Sequence, residues 1–235
     1  MITDILGAFA FLTVIPVAQE HQPAKPGRIF AYFPLVGLVI GLMLAGIRAV
    51  EIHKELSAFL TLLGWIVITG GLHLDGFGDA CDGLFATTTP EKRLAIMKDS
   101  RAGMWGVVGL VILLLGKWMT IGMVEPLLLV LPPVTGRLAM VLAARFFHPA
   151  RASGIGSYFR NGLEPPQVTT AIFSGVFIAV LSGWPAVLTI LAAPLTVALA
   201  GRWAAKRLGG GLTGDVYGWL CELTELICLI FLAVV

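Results

Sequence analysis

The chain has 235 residues, of which 57% are hydrophobic and only 13% charged, and its formal net charge is +2. With a mean hydropathy of +0.91, this composition excludes an ordinary soluble protein and places the chain in a membrane. The charge is too small and too dispersed to argue for nucleic acid, and Cys81, Cys221 and Cys228 lack the C-x2-C pairing of a zinc site or a disulfide framework.

Apolar runs lie at about 2–18, 30–50, 56–74, 104–124, 126–147, 168–183, 186–200 and 218–235. The first carries no basic leader and no clear cleavage site after it, so it reads as a retained segment. A span needs roughly 17–25 residues, which leaves the first, sixth and seventh runs short and sets the expected number of transmembrane helices at six to eight. No long alternating strands suggest a barrel, and helices otherwise satisfy the backbone in lipid. The expected fold is therefore all-α, a polytopic helical membrane bundle in which residues 1–235 form one domain. Gly37, Gly41 and Gly46 in the second run suit close helix packing.

If all eight runs cross, one side collects Lys25, Arg28, Lys92, Arg93, Lys98, Arg101, Arg151, Arg160, Arg202, Lys206 and Arg207, while the other has little beyond Arg48 and Lys54. The positive-inside rule makes the first side cytoplasmic. Trp184-Pro185 reads as a turn that separates two short spans and keeps this parity.

The polar residues concentrate in 70–103, GGLHLDGFGDACDGLFATTTPEKRLAIMKDSRAG. In a helix, Asp75, Asp79 and Asp82 fall at i, i+4 and i+7, within about 60° on one face. Crowded carboxylates repel unless water surrounds them or a cation sits among them. Hard oxygen ligands favour magnesium, manganese or calcium over zinc. The bland alternative is that Asp75-Gly76 and Asp82-Gly83 are turn dipeptides. Thr89-Pro90-Glu91 reads as a helix start that leads into Lys92, Arg93, Lys98 and Asp99-Ser100-Arg101. Carboxylates able to hold a divalent ion, followed by Lys and Arg, match the needs of a diphosphate.

Two further segments fall on the same side. Arg151-Ala-Ser-Gly-Ile-Gly-Ser157 carries a cation, and Gly209-Gly-Gly-Leu-Thr-Gly-Asp215 offers backbone N–H groups near Thr213 to a phosphate, with Asp215 as a further ligand or base. Glycines at a helix end serve equally as capping residues. Within the apolar runs stand Lys117, Arg137, Arg145, Glu222 and Glu225, costly in lipid and expected to face a cavity or a partner. Lys117 snorkels or functions. Glu222 and Glu225 share a face just after Asp215. His73 is a base, a ligand or a plain interfacial histidine, and Cys81 reads as a small filler.

His73-Leu-Asp-Gly-Phe-Gly-Asp-Ala-Cys-Asp-Gly83, followed by Arg93-Leu-Ala-Ile-Met-Lys-Asp-Ser-Arg101 and Gly103, resembles the signature of the cobalamin synthase (adenosylcobinamide-GDP ribazoletransferase) family. The resemblance extends to Phe11-Leu-Thr13 with Pro16-Val17, Phe33-Pro-Leu-Val-Gly37, Arg137, Arg151 with Gly154-Ile-Gly156, and Gly210 to Asp215 with Glu222 and Glu225. Many members carry Arg where this chain has Val14. The resemblance implies the last step of nucleotide-loop assembly in vitamin B12 synthesis, at the bacterial inner membrane and from its cytoplasmic side. There α-ribazole or its 5′-phosphate displaces GMP from adenosylcobinamide-GDP, with magnesium required.

On that footing Asp75, Asp79 and Asp82 are expected to hold Mg2+, and Lys98 and Arg101 to offset charge on the leaving GMP, with Asp79 or Asp215 taking a proton. His73, Arg93, Asp99, Arg137, Arg151, Thr213, Glu222 and Glu225 are expected at the substrates. The runner-up is a CDP-alcohol phosphotransferase of lipid synthesis, whose D-x2-D-G-x2-A-R pattern does not occur here. A transporter would carry its acids mid-span, with a repeat between halves, and neither is visible. The choice between nucleoside and 5′-phosphate as acceptor, the lower base and the oligomeric state stay open at this point.

Overall fold

The computed structural model describes every residue except 18–24, 51–52, 153, 159 and 185. Ser153 and Pro185, named above, lie outside the described residues. The helices are α1 (Ile2–Leu12), α2 (Phe33–Arg48), α3 (Lys54–Thr69), α4 (Leu72–Phe85), α5 (Pro90–Ile96), α6 (Met104–Ile121) and α7 (Leu131–Phe146). They are followed by α8 (Ile155–Tyr158), α9 (Pro165–Leu181), α10 (Ala192–Thr196), α11 (Arg202–Arg207) and α12 (Gly214–Val234). Tight 3-10 turns at Pro26–Tyr32, Pro126–Val130 and Ala186–Leu191 lead into α2, α7 and α10, and a π-helical stretch, Val197–Gly201, joins α10 to α11. Two short strands, β1 (His148–Pro149) and β2 (Gly211–Leu212), pair in parallel and tie the chain after α7 to the chain before α12.

Among the described residues, five helical segments are long and apolar enough to cross a membrane: Pro26–Arg48, Met104–Ile121, Pro126–Phe146, Ala186–Arg207 and Gly214–Val234. The bent pair of α3 and α4 raises the number to six. The protein is thus a multi-pass helical membrane protein, with fewer full-length spans than the eight runs. At about 1.5 Å per residue, the 11 residues of α1 reach only half-way through a hydrocarbon core. The seventh run continues as helix to Arg207, so Arg202, Lys206 and Arg207 ride on a helix and not on a loop.

Helix α7 is the centre of the bundle, with every residue from Leu131 to Ala144 buried. Two glycines of α2 make this possible. A Cβ at Gly37 would stand 2.6 Å from the Pro133 carbonyl oxygen, and one at Gly41 would stand 2.3 Å from Val130 Cα. The expected close packing holds for these two, whereas Gly46 faces open space. Helix α12 packs on α4, α6 and α7. Helix α6 leaves Val107, Val111, Ile112, Leu115 and Met119 exposed, as a lipid-facing helix does.

Gly70 and Gly71 separate α3 from α4, and both have positive φ, 61° and 68°. Only glycine takes two such residues in succession at little cost. The result is a bend of 91° that turns α4 out of the line of α3. The run expected to continue through residue 74 is broken there.

Arg28 reaches within 3.6 Å of Asp4 near the start of α1, so α1 does not carry its first residues to the side opposite Arg28 as a crossing first run would. The other polar contacts gather at two ends of the bundle. At one end Arg48 donates to the Ile121 and Gly122 carbonyls and Trp118 Nε1 to Glu55. At the other, Arg207 donates to the Leu84 and Ala86 carbonyls, Arg151 to Leu94 and Arg160 to Phe147.

Candidate active site

Helix α4 presents Asp75, Asp79 and Asp82 to one cleft of about 600 Å³, whose wall also includes Ser100, Ala102 and Gly106. The helical spacing of the three aspartates sets this, and the bend at Gly70-Gly71 aims the face into the cleft. Val14 lies beside the rim: its amide donates to the Ile68 carbonyl, and a Cβ on Gly70 would stand 2.8 Å from its side chain.

Asp82 is held from both sides. One oxygen accepts the Gly103 N–H at 2.7 Å and the other the Gly106 N–H at 2.8 Å. These amides belong to the first turn of α6, which Asp82 caps from a neighbouring helix, with the dipole adding to the attraction. A Cβ at Gly103 or Gly106 would fall 2.3 or 2.5 Å from the carboxylate, so the approach needs glycine at both places. Gly106 and Ser100 were missed as site residues. The Gly103-to-Gly106 spacing at a helix start was the only available signal.

Asp215 opens α12, one residue after Gly214 and two after the cap Thr213, whose hydroxyl accepts the Val216 N–H. It stands beside Gly76 of α4 and lines a second cleft of about 230 Å³ together with Arg151, Gly154, Gly156, Ser157 and Thr213. Arg151 reaches within 3.6 Å of Asp215 Oδ2 through Nη1 and anchors Nη2 on the Leu94 carbonyl. Among the described residues, Asp215 Oδ2 has no hydrogen-bond partner. Asp79 feels the charges of Asp75, Asp82, Asp215 and Arg151, so the four carboxylates and this arginine form one electrostatic unit.

Lys98 and Arg101 follow α5 as exposed side chains. Arg101 donates to both oxygens of Asp99. Its side-chain and backbone donation hold the Asp99 carboxyl down at about 2. Arg93, expected at the substrates, is instead buried and donates to the Gly83 and Leu84 carbonyls. It closes the C-terminal end of α4, where unpaired carbonyls need a donor.

His73, Arg137, Glu222 and Glu225 were likewise expected at the substrates. The structure buries all four in the bundle, in one cluster with the buried Lys117. Lys117 lies between Glu222 and Glu225 and over the Trp65 ring, 4.1 Å from its centre. Arg137 pairs with Glu225 and reaches His73 Nδ1 at 3.4 Å. Lys117 therefore does not snorkel. The cluster balances two cations against two carboxylates, as charges within a membrane require, and it cross-links α4, α6, α7 and α12 behind the aspartate face.

Among the described residues no group of three or more His, Cys, Asp and Glu is gathered to hold a metal ion by itself. The aspartates line the cleft without closing a cage. That suits magnesium, which commonly takes one or two carboxylates and leaves its other positions to water and substrate phosphates. Asp75 and Asp79 are the carboxylates open to such sharing, since backbone amides already hold Asp82.

A helical membrane bundle with a carboxylate-lined cleft at its basic end defines the class as a polytopic membrane protein with a polar site at one surface. The chain belongs to the cobalamin-5-phosphate synthase family, whose model matches residues 4–233. It is 37% identical to the adenosylcobinamide-GDP ribazoletransferase of Geotalea daltonii, over 97% of this chain and 96% of that one. Proteins of the same name from a Roseiflexus species and from Deinococcus radiodurans are 38% and 36% identical, over 94% and 95% of this chain and 86% and 83% of theirs. No solved structure matches the chain.

Proposed function

We propose that this chain performs the reaction its relatives are named for: it transfers the adenosylcobinamide phosphate moiety of adenosylcobinamide-GDP to α-ribazole or its 5′-phosphate and releases GMP. This is the closing step of nucleotide-loop assembly in vitamin B12 synthesis. On this reading the site faces the cytoplasm from a bacterial inner membrane. The observation that carries it is the placement of Asp75, Asp79, Asp82, Asp215 and Arg151 as one electrostatic unit between two clefts.

Asp75 and Asp79, with Asp82 fixed beside them, would hold magnesium, which supplies charge neutralisation on the diphosphate when bound. The chain's own work is positioning. The larger cleft admits the diphosphate along the aspartate face, and Lys98 and Arg101, on the exposed segment that gives the cleft Ser100 and Ala102, offset charge on the leaving GMP. The smaller cleft, with Arg151, Thr213 and Ser157, offers the acceptor a polar seat. The ribose hydroxyl attacks the phosphorus nearest cobinamide, in line with departing GMP, and its proton passes to Asp79 or Asp215.

The test is GMP release by detergent-purified protein given adenosylcobinamide-GDP and α-ribazole phosphate, with magnesium or with chelator. Magnesium-dependent release matched by a cobalamin product is expected, and Asp79→Asn should abolish it. No release from lipid-supplemented, magnesium-loaded protein would sink the reading. Full turnover by Asp79→Asn at saturating magnesium would remove that residue from the metal site.

A further inference from the structure

Away from the aspartates, an apolar groove of about 440 Å³ runs between α7 and the helix that ends at Arg207. Leu142, Phe146 and Phe147 form one wall, Pro194, Val197 and Ala198 the other, and Arg202 is the one charged residue in the lining. The wall is shaped by its sequence. Pro194 cannot donate a backbone hydrogen bond, and the helix after it runs as a π-helical stretch over Val197–Gly201. Such stretches widen a helix locally and are frequent at functional sites. Gly201 lets the Phe147 ring approach within 3.3 Å of where a Cβ would stand, which closes the end of the groove.

The lining combines two chemistries in a fixed order. Residues 194–198 lie deeper within a membrane-spanning segment, whereas Arg202 lies toward its basic end, with Lys206 and Arg207 further on. Arg207 is engaged with the Leu84 and Ala86 carbonyls. The Arg202 side chain is exposed and takes part in no hydrogen bond or ion pair among the described residues. We propose that this groove binds one anionic phospholipid of the leaflet at the basic end, with an acyl chain along the apolar walls and its phosphate at Arg202. An apolar trough capped by a cation at headgroup level matches both parts of such a lipid. Basic pockets between transmembrane helices on the cytoplasmic side commonly read anionic headgroups in this way. A zwitterionic lipid gains the apolar part with less of the charge.

The proposal does not depend on the reaction assigned above, and its test reads lipid directly. The full chain is reconstituted in phosphatidylcholine bilayers containing phosphatidylglycerol as a minor component and ejected for native mass spectrometry. The expected result is retention of one phosphatidylglycerol over phosphatidylcholine by about fivefold, the scale of one basic residue near an anionic headgroup. Arg202→Gln should bring that ratio close to one, and Ala198→Phe, which fills the groove, should lose bound lipid of both kinds. Equal retention by the parent, or a preference that survives Arg202→Gln, overturns the proposal. A dimer that Ala198→Phe dissolves would assign the groove to a second copy of the chain and overturn it too. If Ala198→Phe does not accumulate, the exposed Arg202→Gln variant decides alone.

Discussion

Gly76 of α4 lies directly against the backbone of Asp215 in α12. A Cβ at Gly76 would stand 3.1 Å from both the Cα and the carbonyl oxygen of Asp215. Backbone cannot swing aside as a flexible side chain can, so Gly76→Ala has to push α4 from α12. We expect about 1–3 kcal/mol of destabilisation from overpacking. Turnover should fall more than that cost alone implies, by about tenfold or more, because the movement separates Asp79 from Asp215. Melting temperature and kcat measured on the same preparation check this. Unchanged kcat would show that the spacing of the two aspartates is not critical.

Lys117 is the partner shared by Glu222 and Glu225. Lys117→Met leaves two buried carboxylates facing Arg137 alone, and breaking such a pair from one side costs about 3–5 kcal/mol. For a chain of this size that is a fall in melting temperature of roughly 6–20 °C. Pairing it with Glu222→Gln restores the charge balance around Arg137 and Glu225, and most of the loss should return. A double variant no more stable than Lys117→Met would show that the lysine's contact with Trp65 matters more than its charge.

Asp82 caps α6 through Gly103 and Gly106. Asp82→Ala removes both acceptors and the negative charge at a helix start, a loss of about 1–2 kcal/mol. Asp82→Asn keeps one acceptor oxygen and should fold more nearly like the parent. Comparing the thermal stability of the two separates capping from ion binding: if Asp82→Asn is stable but inactive, the charge acts on substrate or magnesium as well as on α6.

The Asp99 carboxyl is held at about 2 by donation from the Arg101 side chain and then from the Arg101 backbone N–H. A lowered carboxyl pKa contributes above its unfolded value and loses that contribution as pH falls through about 2. Asp99 therefore adds no inflection to the activity profile between about pH 5 and pH 8. Arg101→Ala should return Asp99 toward the ordinary carboxylate range, which an NMR titration of labelled aspartate detects. A carboxyl unmoved in that variant would leave the lowering to backbone donation alone.

The sequence by itself determined the solvent and the class: the hydropathy of the runs requires helices in lipid. It also determined the aspartate face, because Asp75, Asp79 and Asp82 share a helical side whatever α4 packs against, and the Thr89-Pro90 start of α5, which local hydrogen bonding sets. Tertiary structure decided the rest. Gly70-Gly71 breaks the run read as 56–74, and the bend of 91° depends on two positive φ angles and on what α4 meets afterwards. The placing of Asp215 against Gly76, the recruitment of Asp82 to α6 and of Arg93 to the end of α4, and the pairing of Lys117 and Arg137 with two glutamates all join residues far apart in the chain. A buried charge must find a partner, which sequence can state. Which partner it finds is fixed only when the helices pack.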